Sequence, residues 1–140
     1  MKERIEKFKG ELKYLYSIQA EIKRLSTRIA IIEYEEENVK GIDYSKEHGT
    51  YNPEAVAHRR LAVIEKKETL MKLLEAEEKK EEAIGLVLKQ MSEEDRELVL
   101  EVIAERRKYK DVCKERNIAN TSSLFAMIEK IIGEALTKLG

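Results

Sequence analysis

Tryptophan is missing from this 140-residue chain, proline and cysteine occur once each, and phenylalanine occurs twice. A single cysteine, Cys113, excludes an internal disulfide framework and cannot by itself build a thiolate zinc site. The scarcity of proline and glycine excludes a collagen-like or linker-rich chain. Long hydrophobic runs are missing as well. The longest, such as Ile29 to Ile32 and Ile84 to Leu88, are far too short to cross a bilayer, and Met1-Lys2-Glu3-Arg4 leads into alternating charges rather than a signal-peptide core. A soluble, cytoplasmic protein with no membrane partner is the expectation.

Charge of one sign is also lacking overall, since 27 basic residues face 28 acidic ones. The whole-molecule field therefore attracts neither nucleic acid nor acidic lipid strongly, and a polyanion must be met by a local patch. Such a patch exists in the last third. Residues 91–105 hold one basic and six acidic residues, whereas 106–116 hold six basic and two acidic.

What the chain has in abundance is helical periodicity. Ile5, Phe8, Leu12, Leu15, Ile18, Ile22, Leu25, Ile29 and Ile32 follow one another at spacings of three and four, and period two fails throughout. The pattern predicts a single helix over 2–38, weakened only by Gly10. Residues 39–52, with Gly41, Gly49, Tyr44 and Tyr51, lose the periodicity and predict a loop. Asn52-Pro53-Glu54 is a good helix start, with a capping amide, a proline suited to the first position and an acidic residue at the positive dipole end. A second helix to about Gln90 carries Val56, Val63, Leu70, Met71, Leu74, Ile84, Val87 and Leu88. Two helices of matched length predict an antiparallel hairpin over 1–90, roughly 50 Å long. Tyr14, Ile31, Leu61, Ile64 and Leu73 lie beside the main stripes, more apolar surface than one seam hides, which predicts self-association.

Ser92 with Asp95 three residues on approximates a capping box and opens a third helix over about 93–107. A short helix over 109–116 and a last one to Leu139 follow. Their junction meets the needs of a helix-turn-helix: Val112 faces inward, Cys113 is the small crossing residue, Asn117 tolerates left-handed geometry, Ile118 plugs the turn, and Leu124 and Ile128 form the inner face of the second helix. The fold class is therefore all-α: a long helical hairpin followed by a three-helix module over 91–140.

With Arg96, Leu98 and Leu100, Tyr109-Lys110-Asp111-Val112-Cys113, Asn117-Ile118, Leu124 and Ala135-Leu136-Thr137-Lys138-Leu139, the segment Met91 to Leu139 resembles region 4 of sigma-70-type factors. It looks most like the version in phage late-gene transcription activators of the RinA and ArpU type, which join an N-terminal helical segment to such a module. The resemblance implies binding of double-stranded DNA beside a phage promoter and contact with host RNA polymerase.

Arg106, Arg107, Lys108, Lys110, Lys114 and Arg116 are the expected phosphate-contacting residues, on the element that crosses the DNA backbone in a helix-turn-helix. Thr121, Ser122, Ser123 and Lys130 are expected to face the groove, where hydroxyls discriminate bases less well than a bidentate Arg. The same stretch has a plainer account as a solvated face answering the acidic helix before it. The near-zero charge favours an alternative, a helical adaptor that binds only proteins; a packaging component resembling a small terminase subunit is a further alternative. His48 and His58 lack ligand spacing, and Cys113 is better explained as a small buried residue than as a nucleophile. No acid-base pair, triad or phosphate-cradling glycine loop is present, so no enzyme, cofactor, metal or small-molecule substrate is expected.

Overall fold

The computed structural model describes residues 1–41 and 53–140, with side chains described for 1–37 and 53–140. Among the described residues there are six α-helices: α1 (Lys2–Lys13), α2 (Leu15–Gly41), α3 (Pro53–Lys89), α4 (Glu93–Val99), α5 (Tyr109–Glu115) and α6 (Thr121–Leu139). α4 runs on into a π-helical turn, Leu100–Ala104. No strand occurs among the described residues, and the protein is all-α. Of the expected loop, Val39, Lys40 and Gly41 belong to α2. The remainder, with Tyr44, His48, Tyr51 and the expected cap Asn52, lies outside the described residues. No helix among the described residues is long and apolar enough to cross a membrane.

The first predicted helix is in fact two. Tyr14, at φ −101° and ψ 9°, separates α1 from α2, and its N–H bonds the Glu11 carbonyl at 3.2 Å in a tightened last turn. A cause is tertiary: the Lys13 carbonyl, which a continuous helix would use internally, accepts instead from the Arg106 guanidinium at 3.3 Å. The third helix also ends earlier than 107. The π turn widens the coil, and Arg106 then turns the chain away at φ 55°, a left-handed conformation costly for a residue with a Cβ.

The contacts divide the chain into two compact units, one of Met1–Gln19 with Lys79–Gly140 and one of Ala20–Glu78. The division expected near residue 90 is not where the contacts part, because α1 and the end of α3 belong with the C-terminal helices. The physical reason is burial. Phe8 and Leu12 of α1 are buried, as are Ile128 and Ile132 of α6, and α1 packs on both α6 and the π turn. Three short helices alone would leave these apolar faces wet. Ile5 Cδ1 comes within 3.4 Å of where a Cβ on Gly133 would stand, so the small residue lets the two helices approach. Arg96 joins α3 to α4 by donating to the Leu88 and Met91 carbonyls at 3.1 and 3.3 Å, satisfying acceptors at a helix end.

In the other unit Leu25, Ile29 and Ile32 of α2 cluster with Leu70 of α3, with Val63 and Leu74 packed against them. Lys67 of α3 pairs with Glu33 and Glu36 of α2 at 3.4 and 3.7 Å. Ile31, Leu61, Ile64, Met71 and Leu73 remain exposed. Met71, expected in the main stripe of this helix, instead lies with Leu61 and Ile64 on a second stripe beside the one that faces α2.

Candidate nucleic-acid interface

The geometry begins at the turn between α5 and α6. α5 buries Val112 and Cys113. It ends with Asn117 in the left-handed conformation, φ 56°, while the Ile118 N–H returns to the Cys113 carbonyl at 2.9 Å. This is the six-to-one bond of a Schellman motif, with asparagine in the position more often taken by glycine. Asn120 then caps α6, its Oδ1 accepting from the Ser123 N–H at 2.8 Å. A cap of this kind contributes about 1 kcal/mol. α6 faces the core with Leu124, Ile128 and Ile132, each almost wholly buried, at successive spacings of four.

The six basic residues do not form one free patch. Arg107 donates to both oxygens of Glu115, at 2.8 and 2.6 Å, and to Glu101 Oε1 at 3.1 Å. Arg116 donates from Nε and Nη2 to Glu101 Oε2 at 3.2 and 3.0 Å. Glu101 thus bridges two arginines from within the π turn. The hydrogen bond to Glu115, opposed by desolvation and aided by the negative charges around it, raises the Arg107 pKa; the same bond holds the Glu115 carboxyl below the usual range. An arginine fixed in this way must give up charged partners before it binds a phosphate.

Arg106 is tied differently. Besides its bond to the Lys13 carbonyl, its guanidinium lies 5.9 Å from the centroid of the Tyr14 ring, a cation–π distance. Lys108, Lys110 and Lys114 are exposed, and none takes part in an ion pair among the described residues. Lys110 and Lys114 stand one helical turn apart on the same face of α5.

On α6, Ser122 and Lys130 are exposed, Thr121 and Ser123 half-buried. Ser123 and Lys130, seven residues apart, share one face. Met127 is 42% exposed close to it. α1 flanks another side of α6, where Lys9 Nζ pairs with Glu129 at 3.2 Å. Glu101 and Glu115 as neutralising residues, and Lys9 and Lys13 as neighbours of the basic stretch, were not identified from sequence. Glu115 is flagged only by its eight-residue spacing from Arg107, and nothing local flags the residues of α1.

No protein-family model matches the chain, and no curated protein or solved structure matches it either.

Proposed function

We propose that this chain is a DNA-binding transcription regulator in which α5 meets the phosphate backbone and α6 faces the groove. The observation that carries the reading is the α5–α6 junction: a left-handed Asn117, a returned Ile118 N–H and a capped α6 hold two helices at a short, defined turn, as a helix-turn-helix requires. Lys108, Lys110 and Lys114 are the phosphate-contacting residues, and Ser122, Ser123 and Lys130 read the groove. Arg107 and Arg116 brace the module through Glu101. The resemblance to phage late-gene activators adds a promoter as target and RNA polymerase as a further partner. Copies associate through the exposed stripe of α3.

The test is a gel-shift titration with random duplex and with duplex from the neighbourhood of the gene. A dimer with three lysine contacts per subunit neutralises about six phosphates, so log affinity falls against log salt with a slope near −5. Lys110→Ala with Lys114→Ala weakens binding to every sequence and flattens the slope by roughly one unit per lost contact, whereas Ser122→Ala changes preference among sequences. If no duplex binds at about 50 mM salt, where non-specific contacts are strong, the regulator reading fails. The protein-only adaptor then replaces it. Its support is the capture of Arg107 and Arg116 by carboxylates, which neutralises two of the six basic residues of the stretch.

A further inference from the structure

Where α1 passes α6 and the π turn, the surface opens into a groove of about 570 Å³. That volume falls in the range, roughly 300–1,000 Å³, of sites that seat a ligand or a large side chain. Its apolar lining comes from Val102, Ile103 and Ile128. Gly10 borders it from α1, and a Cβ at that position would meet nothing within 4 Å, so the groove is open there. Tyr109 and Phe125 line it too, their rings edge to face at 4.8 Å and both about two-fifths exposed, at 40% and 41%.

Around this apolar lining the charge is mostly positive. Five cationic side chains border the groove against one carboxylate, that of Glu6. Some of the charge is internally balanced, since Lys9 is shared by Glu6 and Glu129 and Arg107 by Glu101 and Glu115. Lys13 and Lys108 take part in no ion pair among the described residues, and Arg106 donates to a neutral carbonyl and so keeps its full charge. Three uncompensated cations surrounding a recessed apolar surface do not suit duplex DNA, which is convex and presents phosphates without apolar groups to seat. They suit a chain segment that offers both.

We infer that this groove docks an acidic peptide segment carrying one large apolar side chain. The apolar group sits beside Gly10 against Val102, Ile103 and Phe125, and the flanking carboxylates are met by Lys13, Arg106 and Lys108. This goes beyond the DNA-binding reading and does not rest on it: of the three lysines assigned to DNA only Lys108 borders the groove, whereas Lys110 and Lys114 do not line it.

The test uses the full chain and a fluorescently labelled nonapeptide of Glu and Asp residues around a central Phe, followed by anisotropy at about 50 mM salt, where exposed charges are little screened. Saturable binding is expected, weakened at least about tenfold when the Phe is replaced by Ser and when Gly10→Leu fills the groove, a loss of about 1.4 kcal/mol. Gly10→Leu is chosen because its Cβ has room and leucine is the better helix former, so circular dichroism should be unchanged. Lys13→Glu with Lys108→Glu should abolish binding, and Lys110→Ala with Lys114→Ala should leave it unaltered. No saturation up to about 1 mM peptide, the weak limit of useful affinity, overturns the inference. So does equal binding by the Gly10→Leu protein or by the Ser peptide, the second outcome marking a general anion patch. Peptide binding without a DNA shift would defeat only the regulator reading, and a DNA shift without peptide binding only this one.

Discussion

The Arg106 guanidinium donates to the Lys13 carbonyl at 3.3 Å across 93 residues of sequence. The bond ties the end of α1 to the exit of the π turn, at the residue that bears the left-handed backbone. Arg106→Ala keeps the backbone strain and loses both the hydrogen bond and the Tyr14 stacking, so it should destabilise by about 1–2 kcal/mol. Arg106→Gly loses the same contacts but relieves about 1 kcal/mol of strain, and should fall between the wild type and Arg106→Ala. Chemical denaturation of the three proteins orders them; an Arg106→Gly protein less stable than Arg106→Ala would contradict the account.

Leu124 is 0% exposed at the first inward position of α6. Leu124→Ala should cost roughly 2–5 kcal/mol, the transfer term plus a cavity under the turn. Thermal unfolding measures this. A loss below about 1 kcal/mol would mean that α6 is not anchored as described.

Gly133 lies in the interior of α6, with Ile5 Cδ1 3.4 Å from the position of an added Cβ. Gly133→Ala is expected to be stabilising by about 0.5–1 kcal/mol, because alanine is the better helix residue and the contact is close to an ordinary van der Waals one. Gly133→Leu should instead push α1 from α6. Hydrogen exchange at the α1 amides separates the two cases: protection is retained with alanine and lost with leucine.

Arg107 holds the Glu115 carboxyl below its ordinary value of 4.5, chiefly through the hydrogen bond, which desolvation opposes and the charges of Arg107 and Arg116 aid. A carboxyl with a lower pKa when folded contributes stability above its unfolded pKa and loses that contribution as pH falls through the folded one. Acid should therefore loosen α5 at a pH below 4.5. Carboxyl NMR titration of Glu115 should give a midpoint that returns towards the ordinary value in Arg107→Ala. No change between the two proteins would show that the pair is not formed in solution.

The second stripe of α3 supplies the fifth expectation. Ile64 and Leu61 are exposed, at 47% and 53%, so Leu61→Glu with Ile64→Glu removes little internal packing. Helicity should be kept while sedimentation at micromolar concentration shifts from a larger species to monomer. A wild-type chain that already sediments as a monomer would remove the case for self-association.

Most of the helical segments, the Ser92 cap, the left-handed Asn117 and the inward Val112, Cys113, Leu124 and Ile128 follow from short-range pattern and stand where the sequence predicts, whereas the break at Tyr14 and the early end of the third helix do not. Each of the former is a property of residues within a turn or two of one another, where propensity, capping and period act. The basic stretch 106–116 was legible as a cluster of charge, but its division into tethered arginines and free lysines was not. That depends on Glu101 reaching Arg116 fifteen positions away, and on Lys13 presenting a carbonyl to Arg106. The break at Tyr14, the association of α1 with the C-terminal helices and the groove beside Gly10 were likewise decided by tertiary structure. Sequence alone determined which faces must be buried. Which face covers which, and so which charges are neutralised, depended on packing between helices distant along the chain, and an apolar stripe specifies the need for a partner without specifying the partner.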